Sequence, residues 1–369
     1  MALRTAVIGG GVVSRLHLSA LEESPLVDLV GICDIDAERA RELAKEYGIR
    51  AYFDAETMLT EADLDWVHVC TPVQTHRDLC VMALEAGVPA LVEKPATVSV
   101  DEIDDIREAA ERTGVPVSVV HNHQFSIGVK EARERIADGE LGELRGLDMI
   151  STGDPRPDVS QRGSWAFELV GGEFEEGIPH QIYVALGVGG YPIDREAVKA
   201  TTALHGDYEQ GFGYDGLQLQ WVTDEQALCS VKLLSGGQRQ RLLLVHGEEA
   251  SLMVDLMSQT TVTLDRDYAA SPVTRAMSNV DHVLDRVTGT ARNAGAMARR
   301  ELTDDRETEL HWNSLASQFD AEARALLADE PPAVPLEEAR WTVALMEEVR
   351  EAAGERATPA AVAAAEESE

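Results

Sequence analysis

Apolar and polar positions follow two regimes along the chain. In the first part, short continuous apolar runs alternate with stretches whose apolar residues recur every three or four positions. Residues 4–8, 26–33, 66–70, 89–92 and 115–120 read as strands, and the stretch bearing Leu16, Leu18 and Leu21, then 36–47 and 74–86, as helices. Runs apolar on both faces that alternate with helices predict a doubly wound parallel sheet. From Leu144 the pattern changes. Residues 144–151, 197–205, 214–222, 227–234, 241–246, 251–255 and 260–264 are strand-like with few helices between them, which predicts an open antiparallel or mixed sheet in an α+β domain. Helical spacing returns over 273–300, 307–328 and 336–353, either to cover that sheet or to pack back on the first domain. The expected organisation is a nucleotide-binding domain over 1–122, an α+β domain over 123–354, and a disordered acidic tail over 355–369, which is rich in Ala and Glu and has no aromatic residue.

The junction of the first strand and helix carries chemistry. Arg4–Ile8 runs into Gly9-Gly10-Gly11-Val12-Val13-Ser14, and Asp34 closes the next apolar run about twenty residues beyond the turn. A strand, a glycine turn and a helix N-terminus bring backbone N–H groups and the positive end of the helix dipole up to a pyrophosphate, provided that no side chain at Gly9 or Gly11 intervenes. A carboxylate at Asp34 accepts hydrogen bonds from ribose hydroxyls and repels a 2′-phosphate, which favours NAD. NADP remains possible because Arg39 is near. Asp34 also has a plainer reading as the cap of the following helix, a role that Asp36 can take instead.

Composition narrows the classes. A chain of 369 residues with 44% hydrophobic content suggests two globular domains, and it has no apolar run long enough to span a membrane. The first strand begins within a few residues of Met1, which leaves no room for a signal peptide and predicts a cytoplasmic protein. The net charge is −34, from 32 Lys and Arg against 66 Asp and Glu. That surface disfavours nucleic acid and anionic membranes. Its self-repulsion predicts a salt-adapted, halophilic protein, although acidic, arginine-rich chains also occur in ordinary salt. The cysteines Cys33, Cys70, Cys80 and Cys229 form no CxxC pair and read as reduced thiols. His68, Cys70, His76 and Cys80 offer ligand types for zinc, but strand and helix would have to fold back sharply for them to converge, so no metal is expected.

The chain has five lysines, and one of them, Lys94, stands in Glu93-Lys94-Pro95 directly after a predicted strand, at the edge where open α/β sheets bind ligands. An amine there polarises a carbonyl or, once deprotonated, takes the proton of an alcohol as hydride leaves carbon. A solvated loop lysine is the alternative. His121, Asn122 and His123 read equally as hydrogen-bonded core residues or as substrate contacts. Trp165 and Phe167 can stack on a sugar ring or fill a core.

The glycine turn, Cys70-Thr71-Pro72 followed by His76, Glu93-Lys94-Pro95, and His121-Asn122 leading to Phe125 resemble, in that order, the Gfo/Idh/MocA oxidoreductases. The resemblance implies a Rossmann domain followed by an open-faced sheet domain, with cofactor and substrate meeting between them. It further implies a cis bond before Pro95, Lys94 at the substrate hydroxyl, and Thr71, Pro72, His76 and Glu93 bordering the cofactor with Gly9, Gly11, Val12, Val13 and Asp34. Residues 171–180 look like the segment in which two glycines precede a helix bearing D-x-G-x-H-x-x-D, and His180 aligns with its histidine. Here Glu176 replaces the first Asp, Gly177 is shifted, Pro179 is added and Tyr183 occupies the place of the second Asp. His180 and Tyr183 share a helix face, from which both are expected to reach a substrate hydroxyl. Gln124 stands where relatives often carry Arg.

The expected function is hydride transfer between NAD(P) and a secondary alcohol or ketone of a sugar, cyclitol or nucleotide sugar. Lys94, His180, Tyr183 and Glu176 are the catalytic candidates, and Asn122, Gln124 and Trp165 the substrate contacts. A recycled cofactor or NAD-assisted glycoside cleavage would leave the same signals, and the alternative class is a non-catalytic NAD-binding regulator or scaffold. A homo-oligomer formed through the C-terminal sheet is expected.

Overall fold

The computed structural model describes residues 2–159, 161, 164–264, 271–302 and 306–354. The chain divides into two compact units, Met1–Asn122 with Asn313–Val343, and His123–Trp312 with Ala344–Glu369.

The first unit begins β1 (Leu3–Ile8), α1 (Val12–Glu22), β2 (Val27–Cys33), α2 (Ala37–Tyr47), β3 (Arg50–Tyr52), α3 (Ala55–Glu61), β4 (Trp66–Val69), α4 (His76–Glu85), β5 (Ala90–Val92), α5 (Val100–Thr113) and β6 (Val117–Val119). Its six strands are parallel in the order β3-β2-β1-β4-β5-β6. The order reverses between β1 and β4, and ligands of such sheets bind beyond the carboxyl ends of the strands on either side of that reversal. Every residue of β4, β5 and β6 is buried, as expected of strands covered on both faces. Helix α2 starts on Asp36, whose carboxylate accepts from the Glu38 and Arg39 N–H groups, and ends at Gly48 with φ of 67°. The short edge strand β3, not anticipated from the pattern, pairs only with Gly31–Cys33.

The second unit contains α6 (Ile127–Ala137), β7 (Leu144–Asp154), α7 (Gly172–Gly189), β8 (Lys199–Ala203), β9 (Gly216–Val222), β10 (Leu228–Ser235), β11 (Gln240–Gly247), β12 (Ser251–Asp255), β13 (Thr260–Leu264), α8 (Pro272–Leu302) and α9 (Arg306–Trp312). The strands form a seven-stranded sheet in the order β13-β12-β11-β7-β10-β9-β8, antiparallel except for β7 beside β10. Alternation decides the faces. In β9, Leu217, Leu219 and Trp221 are buried while Gln218 and Gln220 are exposed.

Two expectations are corrected. Residues 307–328 do not form one helix, because Asn313 caps a new one, accepting from the Ala316 N–H at 3.2 Å, and α9 is followed by α10 (Ser314–Ala328). Residues 313–343, expected within the 123–354 domain, belong to the first unit. There α10 sets Phe319 against His17 and His68, with ring centroids 4.6 Å from each. Gln318 donates to the Val119 carbonyl at 2.8 Å, and Glu322 accepts from the Ser118 hydroxyl at 2.6 Å. The boundary between units falls inside α11 (Leu336–Ala353). The tail expected over 355–369 lies outside the described residues.

Candidate cofactor and substrate sites

The turn after β1 has room for a ligand and little tolerance for side chains. Gly9 has φ of 99°, and a Cβ on it would lie 2.6 Å from the Cys70 carbonyl oxygen. Gly11 differs: a Cβ there meets no protein atom within 4 Å, so the space in front of it is open. Gly11 precedes α1 without a side-chain cap, and no acidic residue occupies the first turn. The first N–H groups of α1 and the positive end of its dipole are therefore available to an anion, and the site fits a pyrophosphate. Val12 is exposed and Val13 half-buried at the mouth of this turn.

Asp34 is not the cap of α2, which is Asp36. Its Oδ2 accepts from the Gly10 N–H at 2.6 Å and its Oδ1 from the Asp36 N–H at 2.7 Å, so the carboxylate joins the glycine turn to the end of β2. Arg39 Nη1 lies 3.3 and 3.2 Å from the two oxygens, which puts a cation on the group expected to receive a ribose. Beside Asp34 the side chain of Ile35 is 96% exposed, an apolar surface that strand periodicity did not single out.

On the other side of the reversal, β4 leads into half-buried Thr71 and exposed Pro72, and β5 into Glu93-Lys94-Pro95 with a cis Lys94–Pro95 bond. His76, at the start of α4, links the two loops: its Nδ1 lies 3.0 Å from the Pro95 carbonyl and its Nε2 2.8 Å from the Thr71 carbonyl. A neutral ring donates only one of these bonds at a time. Burial holds the His76 pKa below its usual value, against the pull of the two carbonyls. Glu93 and Lys94 are both buried, and Glu93 Oε2 accepts the Lys94 backbone N–H at 3.0 Å. Behind them, His17 Nε2 lies 2.9 Å from Glu93 Oε1, and His17 Nδ1 lies 2.9 Å from His68 Nδ1. Sequence reading assigned His17 no role; the signal it missed was two histidines on neighbouring apolar faces, which periodicity sorts as core. His68 and His76 thus serve separate hydrogen-bond systems.

The second unit has its own cluster. His180 and Tyr183 stand three residues apart on α7, with His180 Nδ1 2.8 Å from the Tyr183 hydroxyl. That hydroxyl also accepts the His123 backbone N–H at 3.1 Å, and the His123 and His180 rings stack at 4.3 Å. Tyr183, a candidate for the substrate hydroxyl, is 0% exposed, with its hydroxyl between the His123 N–H and the His180 ring. Gln124, also expected to meet substrate, is buried: its Nε2 donates to the Tyr183 carbonyl at 3.1 Å and its Oε1 accepts from Arg133 at 3.1 Å. Glu176 is buried on α7, and Trp165 is half-buried on the single-turn helix Ser164–Glu168. The start of α7 is fastened by Glu175, which takes an ion pair from Arg350 at 2.7 Å, the Tyr214 hydroxyl at 2.8 Å and the Gly171 N–H at 2.8 Å. Asn122, at the end of the first unit's N-terminal stretch, donates to the Ser314 hydroxyl at 3.1 Å. Among the described residues no group of three or more His, Cys, Asp or Glu is placed to hold a metal ion, and no helix is long and apolar enough to cross a membrane.

Comparison with known proteins agrees with this geometry. Residues 3–121 match the Gfo/Idh/MocA model, described as an oxidoreductase family with an NAD-binding Rossmann fold. The chain is 36% identical over 138 residues to D-apiose dehydrogenase of Paraburkholderia graminis, a match covering 37% of each protein and so well under half of that relative's length. It is 26% identical over 261 residues to inositol 2-dehydrogenase of Rhizobium meliloti, covering 69% of this chain and 76% of that one. The structure of UDP-N-acetylglucosamine 3-dehydrogenase from Acidithiobacillus ferrooxidans superposes with a TM-score of 0.70 at 20% identity, over 95% of this chain and 98% of that one, and so shares the fold across both units. Residues 3–121 thus carry the NAD-binding Rossmann domain described for the Gfo/Idh/MocA oxidoreductase family.

Proposed function

We propose that the protein is an NAD-dependent oxidoreductase acting on a secondary alcohol or ketone of a sugar, cyclitol or nucleotide sugar. The observation that carries the reading is Lys94, buried at the carboxyl edge of β5, close to the reversal in strand order and the open glycine turn. The dehydrogenases it resembles are named for an apiose, an inositol and a UDP-sugar, which supports this substrate class.

Gly9, Gly11, Val12 and Val13 would receive the pyrophosphate, Asp34 the ribose, and Thr71, Pro72, His76 and Glu93 the nicotinamide end. When bound, that group supplies the hydride acceptor or donor. Lys94 takes the proton of the alcohol in oxidation and returns it in reduction. In the second unit His180 is the proposed substrate contact. Tyr183 positions it, Glu176 shares its helix, Gln124 and Trp165 are the further candidates of that unit, and Asn122 is a candidate of the first. A phenol stands at 183 where the resemblance places a carboxylate, and this departure is the feature that favours a non-catalytic NAD-binding protein.

We assign the protein to a reducing cytoplasm, in keeping with four buried free cysteines. We further propose that a second copy covers the outer face of the seven-stranded sheet. Ile150 and its cross-strand neighbour Leu242, and Leu244 with its neighbour Met253, remain half-buried there. The functional test is NADH formation from NAD with a panel of aldoses, inositols, aldonates and nucleotide sugars, run beside Lys94→Met. Turnover is expected to fall by about 10²–10⁴-fold in the variant, with NAD affinity within about twofold. Undiminished activity removes Lys94 from the reaction, and silence across the panel with NAD still bound favours the non-catalytic reading.

A further inference from the structure

The buried Glu93 carboxylate has partners that the reaction above does not use. His17 on α1 and His68 on β4 are fully buried, and their Nδ1 atoms face each other at 2.9 Å, so one donates and the other accepts. Glu93 Oε1 can only accept while ionised, which places a proton on His17 Nε2. In a neutral His17 the Nδ1 is then the acceptor, and His68 Nδ1 the donor. His68 Nε2 has no hydrogen-bond partner, and in this arrangement it is a lone pair rather than a stranded buried N–H. The hydrogen bonds thus run in one direction, from His68 to His17 to Glu93.

We propose that His17, oriented by His68, is a positioning residue that keeps Glu93 ionised beside Lys94 and so sustains the proton affinity of the Lys94 amine. Burial alone pushes the Glu93 carboxyl toward its neutral form. The His17 hydrogen bond, joined by the charge and backbone N–H of Lys94, outweighs it and holds the group below the usual carboxylate range. The other groups facing this network add little charge. The Cys70 thiol, beyond β4, is pushed well up by burial and by Glu93, and so stays neutral. His76 on α4 and His68 on β4 are both held below the ordinary imidazole value, by burial first. Helix α10 contributes the apolar Phe319 ring against both imidazoles. The catalytic consequence rests on the proton role proposed for Lys94, whereas the ionisation itself does not.

The chain has five lysines, so the full-length protein labelled with ¹³Cε-lysine gives a resolvable NMR titration in which Lys94 is assigned by its loss in Lys94→Met. In His17→Leu the Lys94 midpoint is expected to fall by about one unit or more, because Glu93 then takes up a proton and the amine loses its neighbouring anion. His17→Gln, which carries an amide N–H near the place of Nε2, should restore the midpoint. Glu93→Gln removes the anion directly and should lower the midpoint as far as His17→Leu does. An unchanged midpoint in folded His17→Leu, or in Glu93→Gln, overturns the proposal. If His17→Leu fails to fold, His68→Leu takes its place, with a fall expected and an unchanged midpoint again overturning. The expected shifts in a protein that oxidises no sugar would leave the relay standing and remove the reaction.

Discussion

The Tyr183 hydroxyl accepts the His123 backbone N–H at 3.1 Å and lies 2.8 Å from His180 Nδ1, so one phenol joins the loop before α6 to the histidine of α7. At position 183 the imidazole thus meets a neutral phenol where the resemblance places a carboxylate. Tyr183→Asp should raise the His180 midpoint by about one unit, read from the pH profile of kcat/KM or by histidine NMR. Tyr183→Phe removes the bond that orients the ring and should lower kcat/KM about tenfold or more. Profiles identical to the parent in both variants would mean that His180 takes no part.

Asp34 and Arg39 set cofactor choice together. The carboxylate discriminates against a 2′-phosphate, but Arg39 partly neutralises it at 3.2 Å. Arg39→Ala should therefore sharpen the preference for NAD over NADP by about threefold to tenfold, and Asp34→Ala should erode it while weakening NAD itself. Fluorescence titrations with both dinucleotides decide this, and a preference that moves the other way in Arg39→Ala contradicts it.

Stability should fall as the medium is acidified through the imidazole range. Burial depresses the pKa of His68 and His76 in the fold, so the unfolded chain binds more protons below the ordinary value near 6.5. The stabilisation is complete above that pH and is lost on going below it, at about 1.4 kcal/mol per pH unit for each ring that stays neutral in the fold. Urea midpoints measured between about pH 7.5 and 5.5 should decline, and His68→Leu should flatten the slope. Lowered carboxyl groups such as Asp104, bonded by Arg340, extend the loss in stronger acid. A flat profile across the imidazole range would show that these rings become charged within the fold.

The net charge of −34 predicts that stability rises with screening. The melting temperature in about 2 M KCl should exceed that in about 50 mM KCl, because the screening length shrinks from more than 10 Å to about 3 Å or less. Equal values in the two salts would assign the composition to something other than salt adaptation.

All four thiols are buried, and burial pushes Cys33, Cys80 and Cys229 up to about 12, with Cys70 also raised. The native protein should therefore react with a thiol reagent only as fast as it opens, and denaturant should release all four groups together. Rapid labelling of one thiol in the native state would contradict this.

Local pattern by itself determined the elements and the cofactor chemistry. Continuous apolar runs became β1, β4, β5 and β6, alternation became the seven strands of the second sheet, and Gly9 to Asp34 marked the dinucleotide turn, because each signal lies within one element and its flanking residues. Asn313 was visible as a capping residue, yet apolar spacing ran straight through it and concealed the break between α9 and α10. Long-range placement belonged to the tertiary structure. Sequence spacing put His180 and Tyr183 on one face but did not reveal that the phenol also accepts the His123 N–H. Nor did it join His17, His68 and Glu93, or return Phe319 to the first unit. Those contacts span 51, 76 and more residues, and depend on which side chains meet once the sheet is formed and water is excluded. Hydrophobic pattern specifies which face is buried, whereas the partner of a buried polar group is decided only when the packed core leaves it a single place to find one.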